Sequence, residues 1–316
     1  MAIVRNMWMR NTRQQVAGAV LYNLKGQTIQ REKAASVANP RTTAQMNQRV
    51  RLANLVNFYR ANASWMKRGA FENKKQTHSD YNAFVSRNIG TSAIALTKEE
   101  ALAGAAIACP YQVTDGSLPI IQASAVANVF TIQALGYTTS TQDTISNLTE
   151  ALLHTYPTLK MGDQLSIILL FNKRDSSGIP RVVAYANEIA LTDTNNLTLA
   201  GSLNAGGRTV VSAPVADGIK LTVTPESGEA IGFIVCVSRS TANGLKVSPS
   251  WVNLSDDTFV EGYSDGSQFE KAIASYGEGG VNFLDSIEVI AGQTTPAGGG
   301  DDQGGSGAGD PSDVTP

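Results

Sequence analysis

Asp217-Gly218-Ile219-Lys220-Leu221-Thr222-Val223-Thr224 is the stretch that decides the fold. Ile219, Leu221 and Val223 alternate with Lys220 and Thr222, and a period of two puts one face of a strand in a core and the other in water. The surrounding sequence repeats the pattern. Runs rich in Val, Ile, Leu and Thr occur at 119–127, 129–135, 164–171, 180–191, 209–213, 230–238 and 246–252. Asp217-Gly218, Ser227-Gly228 and Asn243-Gly244 punctuate them at spacings usual for antiparallel hairpins. Many short strands at such intervals predict an immunoglobulin-like β-sandwich over residues 161–255.

Upstream the texture is different. Gly18 to Leu24 and Gln27 to Lys33 flank Lys25-Gly26 and predict a hairpin. Pro40 keeps Asn39 extended, and Thr42 or Thr43 is placed to cap a helix. From Ala44 the residues Met46, Val50, Ala53, Leu55, Val56, Phe58 and Tyr59 follow helical spacing, so an amphipathic helix is expected there. Shorter helices are expected at 63–71 and, behind a Ser79-Asp80 cap, at 79–88. Others are expected at 97–108, 141–155 and 268–276, with a last strand at 281–290. The fold class is therefore α+β. Its parts are a basic hairpin-plus-helices unit (1–90), a mixed connecting region (91–160), the sandwich (161–255), a helix and strand that complete the fold (256–291), and a Gly-rich acidic tail (292–316). That tail has a single large apolar residue, Val314, and is expected to stay disordered.

Composition excludes several chemistries. The 316 residues contain two Cys and two His. A four-ligand zinc site would need all of Cys109, Cys236, His78 and His154, which lack the close spacing of such sites. Two Cys do not make a disulfide framework. No apolar run reaches the roughly 18 residues of a membrane span, and the N-terminus lacks a secretory signal pattern. The expectation is a protein made in the cytoplasm of its host, with no membrane association, no metal and no cofactor.

Catalytic motifs are missing as well. There is no Gly-x-Ser-x-Gly elbow, Walker lysine loop, Cys-x-x-Cys or His-Glu-x-x-His. Asn204-Ala205-Gly206-Gly207-Arg208-Thr209 resembles a phosphate loop, but a strand follows it where phosphate binding needs a helix N-terminus, so it is read as a hairpin loop. Cys236 and Cys109 are read as packed residues. An enzyme is not expected.

The informative quantity is charge asymmetry. Residues 1–90 hold 15 basic and 3 acidic side chains, +12, while residues 91–316 hold 10 basic and 24 acidic, −14. Such a segment faces a polyanion, an acidic partner surface, or the acidic part of its own chain. Tyr22, Arg41, Arg49, Phe58 and Trp65 are the candidates for docking on protein. Arg49, Arg51 and Arg60 are those for contacting phosphate. Expected partners are further copies of the chain or other virion subunits, with nucleic acid as the alternative partner of residues 1–90.

Lys25-Gly26, Asn39-Pro40-Arg41-Thr42, Gln45, Gln48-Arg49 and Tyr81-Asn82-Ala83-Phe84, in that order, resemble the N-terminal part of domain-of-unknown-function family 6266, found in Bacteroidetes and their phages and mobile elements. The resemblance is best over residues 18–88. The later β region, Leu165 to Asn172 and Ile231 to Trp251, is loosely similar to that family's C-terminal β part. The resemblance implies a phage or mobile-element protein and brings no reaction or catalytic residue. Together with the absence of catalytic motifs it leads to the expectation of a virion or assembly protein, with a nucleic-acid-binding accessory protein as the alternative.

Overall fold

The computed structural model describes residues 2–4, 15–16, 19–24, 27–32, 42–67, 69–74, 78–242 and 244–276. They belong to two units, Met1–Arg41 and Thr42–Ala297. In the first unit, β1 (Ala2–Val4), β2 (Gln15–Val16), β3 (Ala19–Leu24) and β4 (Gln27–Glu32) form an antiparallel sheet of order β1-β4-β3-β2. The β3–β4 register pairs Leu24 with Gln27, which is the hairpin expected around Lys25-Gly26. Leu21 and Ile29 are its buried apolar residues among those described.

The second unit opens with α1 (Thr43–Ala61), α2 (Ala63–Met66), α3 (Asp80–Asn88) and α4 (Lys98–Leu102). Thr42, Ser79 and Thr97 each accept an amide from the first turn that follows, and Glu100 completes a capping box with Thr97. Strands β5 (Gln112–Thr114), β6 (Ala123–Val126) and β7 (Val129–Thr138) lead to α5 (Ile145–Thr155). After it come β8 (Gln164–Arg174), β9 (Pro180–Ala190), α6 (Leu199–Ser202), β10 (Val210–Ala213), β11 (Ala216–Val223) and β12 (Ala230–Thr241). The described chain ends with β13 (Gly244–Val247), β14 (Ser250–Trp251), β15 (Asn253–Leu254), α7 (Thr258–Ser264) and α8 (Gly266–Tyr276). The strand expected at 281–290 and the acidic tail lie outside the described residues.

The fold is α+β with antiparallel sheets. One has the order β10-β11-β7-β6, the other β13-β12-β8-β9 with β15 also on β12, and β14 pairs with β5. Alternation decides what each face does. Leu165, Ile167, Leu169 and Phe171 of β8 share a core with Ile231, Phe233, Val235 and Val237 of β12 and with Ile219, Leu221 and Val223 of β11. Phe130 stacks on Phe233 at 4.7 Å, and α5 adds Ile145, Leu148 and Leu152. The opposite-facing residues of β8 and β12, Ile168, Leu170, Ile234 and Cys236, together with Val182 of β9, face a second core with Leu55, Phe58, Met66 and Phe84. Helices α1 to α3, read from sequence as part of the basic unit 1–90, thus share a core with β8 and β12.

Four local expectations are corrected. Asp217-Gly218 is a bulge inside β11 and not a turn: Asp217 has φ +55°, the register to β7 shifts at Gly218, and the Asp217 carboxylate accepts the Gly136 amide at 2.7 Å. The helix expected at 97–108 stops at Leu102, where Gly104 takes φ +82°. Residues 105–108 then run outside regular secondary structure and buried between α1 and the sheet. Side chains satisfy most of their backbone groups: Asn54 serves Ile107, Asn57 donates to Ala105 O and Asn172 accepts Ala108 N–H, while Ala106 N–H donates to the backbone carbonyl of Pro180. The helix expected at 63–71 is a single turn, α2. Finally, the 204–209 loop joins α6 to β10 and not two strands of a hairpin. Its Arg208 is committed to Glu229 by bonds of 2.8 and 2.5 Å.

Candidate docking surface

On the outer face of the β13-β12-β8-β9 sheet, Gln164, Ser166 and Ile168 of β8, Ala186 and Glu188 of β9, and Cys236 and Ser238 of β12 form the floor of a cleft of about 210 Å³. Trp65, Gly69, Ala70, Leu245 and Val247 also line it. At about 210 Å³ the cleft is smaller than an ordinary small-molecule pocket.

The walls are fixed by hydrogen bonds, local at Trp65 and long-range at Glu72. Trp65 Nε1 donates to Asn62 Oδ1 at 3.1 Å, and Asn62 Nδ2 donates to Phe58 O at 2.9 Å, so the indole is oriented by the end of α1. The Glu72 carboxylate accepts Ser117 N–H at 2.9 Å and Val247 N–H at 3.4 Å, which ties the loop after α2 to β13. Burial opposes ionisation of Glu72, but the Ser117 and Val247 hydrogen bonds outweigh it and hold the carboxyl below its ordinary range. Cys236 lies in the floor and its thiol is pushed up to about 12 by burial, against the Ser166 hydroxyl. That thiol is inert at neutral pH.

The residues singled out in the sequence are dispersed. Trp65 is half-buried and lines the cleft. Phe58 is fully buried, in ring contact with Phe84 and Tyr111 at 5.9 and 5.4 Å, so it is a core residue and not a docking side chain. Its helix is enclosed on several sides, by α3, α4 and α8, so its apolar positions do not mark one outer face. Tyr22 belongs to β3, its side chain outside what is described, and Arg41 lies outside the described residues. Arg51 and Arg60 are exposed on α1 and Arg49 partly so. At 3.6 residues per turn, Arg51 points about 160–180° away from the other two, so the three do not form one basic stripe. Two further basic residues are taken by carboxylates, Lys74 by Asp80 and Arg87 by Asp115, each at 2.6 Å.

Sequence reasoning found one wall of the cleft and missed its floor. Gln164, Ser166, Ala186, Glu188, Cys236 and Ser238 come together only through the β9-β8-β12 register, and no local pattern marks them. Among the described residues no group of three or more His, Cys, Asp or Glu side chains is placed to hold a metal, and no helix is long and apolar enough to cross a membrane.

Residues 11–148 match the model of a family of unknown function, DUF6266. The match contains the 18–88 stretch on which the resemblance was read and extends it into the first turn of α5, ending before β8. Neither the curated proteins nor the solved structures contain a match.

Proposed function

We propose that this protein is a non-enzymatic structural or assembly component of a phage virion, docking through its basic N-terminal unit and presenting an immunoglobulin-like β-sandwich as its body. The observation that carries the reading is strand order. With β6 to β13 lettered A, B, C, C′, D, E, F and G, one sheet is A-B-E-D and the other C′-C-F-G, the arrangement of immunoglobulin-like sandwiches, with β6 and β7 lying upstream of the 161–255 span read from the sequence. Such modules hold faces and loops on a rigid core and work by contact, with no need for an active site. Charge supports docking: the +12 of residues 1–90 and the −14 of the remainder complement one another between copies or between subunits. On this reading the protein is made in the host cytoplasm and ends in the virion.

The second reading is a nucleic-acid-binding accessory protein, favoured by the exposed Arg51 and Arg60 within that +12 segment. The two readings separate by salt. Light scattering of the nuclease-treated protein behind a sizing column, at low and high salt, tests them together. A defined oligomer that survives high salt supports assembly. A monomer that binds oligonucleotide, with affinity falling steeply as salt rises, supports the alternative and refutes homo-assembly.

A further inference from the structure

Strand β9 is the outer strand of its sheet: among the described residues, nothing pairs along the edge away from β8. Its orientation is fixed at both ends. Pro180 O accepts the Ala106 amide from outside the sheet, and Leu191 N–H, just past the strand, donates inward to Asp163 O. Backbone groups alternate between the two sides of a strand. Val182, Ala184, Ala186, Glu188 and Ala190 therefore present N–H and C=O outward, while the odd-numbered residues serve β8.

This edge lacks the devices that normally keep edges apart. It is eleven residues long and pairs with β8 over eleven consecutive positions without a bulge. Between Val182 and Ala190 it has no Pro and no Lys, and Ala186, Glu188 and Ala190 are exposed. Natural edge strands are usually short, bulged, or guarded by Lys or Pro, because an open, regular edge is a template for another strand. The sole charge here is Glu188.

We propose that the protein self-associates through β9, which pairs antiparallel with β9 of a second copy about a two-fold axis at Ala186. The proposal rests on the assembly reading above and names its contact. Self-complementarity argues for a second copy as the occupant. A two-fold at Ala186 sets Ala186 opposite itself and Glu188 opposite Ala184 of the other copy, so no like charges face each other. The three central outward pairs, 184·188, 186·186 and 188·184, supply about six backbone hydrogen bonds. The small side chains at 184 and 186 let the strands approach. Ala186 and Glu188 also floor the Trp65 cleft, so the two clefts open on the same face of the joined sheet, either side of the axis.

The test uses full-length protein and light scattering across a concentration series at low and high salt. Ala186→Pro removes an outward amide and leaves the β8 ladder intact, a place where an edge strand tolerates proline. We expect a dimer for the unchanged protein and, for Ala186→Pro, at least a tenfold weaker association with an unchanged circular dichroism spectrum. Ala186→Glu and Ala186→Lys keep the amide but put like charges on the axis. Each alone is expected to be monomeric, and an equimolar mixture to dimerise. An oligomer that persists in Ala186→Pro and Ala186→Glu overturns the β9 contact and leaves the assembly reading standing. A monomeric unchanged protein overturns the β9 contact together with the homo-assembly form of that reading, and leaves docking on other subunits to be tested separately. Hydrogen exchange supplies the remaining arm: amides of Ala184 and Ala186 that are protected in a monomer, and lose protection when residues 277–316 are deleted, would assign the edge to the chain's own C-terminal segment and overturn the proposal.

Discussion

The Asn54 side chain brackets Ile107 as a neighbouring strand would: its Nδ2 donates to Ile107 O and its Oδ1 accepts Ile107 N–H, both at 2.9 Å. The same Nδ2 donates to the Tyr111 hydroxyl at 2.8 Å. Asn54 and Ile107 are both fully buried, so these groups have no access to water. Asn54→Ala leaves a buried amide and a buried carbonyl unpaired, each costing about 1–3 kcal/mol. The expected loss of stability is about 3 kcal/mol by urea unfolding. Gln48→Ala, at an exposed site on the same helix, should change it by no more than about 0.5 kcal/mol. A loss at Asn54 as small as that of the Gln48 control would show that the 105–108 run is held by something other than this side chain.

Arg208 and Glu229 are the most enclosed ion pair described, their side chains 6% and 2% exposed, with the guanidinium 4.1 Å over the Phe171 ring. Glu229→Gln leaves the buried Arg208 cation against a neutral amide, with only the exposed Glu226 at 3.6 Å still charged, and breaking such a pair costs about 3–5 kcal/mol. The pH dependence follows from the carboxyl. Burial opposes its ionisation, but the Arg208 hydrogen bonds and the Glu226 amide outweigh burial and hold it below its ordinary 4.5. A depressed folded-state value means stability that is present above the unfolded value and lost as pH falls through the folded one. The gap in unfolding free energy between the unchanged protein and Glu229→Gln should therefore be constant from pH 7 to about 5 and narrow below that. A gap independent of pH down to 3 would remove Glu229 as an ionised partner.

The strands of the body were legible because alternation is a direct record of burial. Ile219, Leu221 and Val223 are each 1% exposed, as their period of two requires. Helix starts were legible where a side chain caps them, at Thr42 and Ser79. What local pattern did not reveal depends on distant partners. Ala101 to Cys109 has the composition of a helix, yet after Gly104 its backbone is satisfied by Asn54, Asn57 and Asn172, residues 48 or more positions away. Asp217-Gly218 has turn chemistry but supplies a bulge, since the positive φ it favours serves either. Phe58 looked available because helical spacing identifies an apolar face without saying how many neighbours enclose it. The cleft was the least legible feature, because its floor is assembled from every second residue of three strands.

Gly206 tests the loop that carries Arg208. It has φ +63°, and a Cβ there would collide with the Tyr185 ring. Gly206→Ala meets both strain and overlap, so it should destabilise by about 1–3 kcal/mol, whereas an alanine at exposed Gly207 (φ +86°), with open space around it, meets strain alone. Thermal unfolding of the two variants decides. Equal losses would mean that Tyr185 moves aside at no cost.

The two thiols report on the cleft. Burial pushes Cys236 up to about 12 and Cys109 up to about 11, against an ordinary 9.0. At pH 8 the thiolate of Cys236 is then about a thousandfold scarcer than that of an ordinary cysteine, and the thiolate is the nucleophile. Iodoacetamide should label neither residue over hours in the folded protein and both within minutes in urea. Trp65 is what separates the two. It walls the cleft whose floor contains Cys236, while Cys109 lies outside that cleft. Trp65→Ala should open the floor to water, lower the cost of ionising Cys236, and raise its labelling rate about tenfold or more, with Cys109 unchanged as the internal reference. Parallel acceleration at both thiols would mean that the substitution loosens the whole core. No acceleration at either would mean that Leu245 and Val247, and not the indole, close the cleft over the sheet.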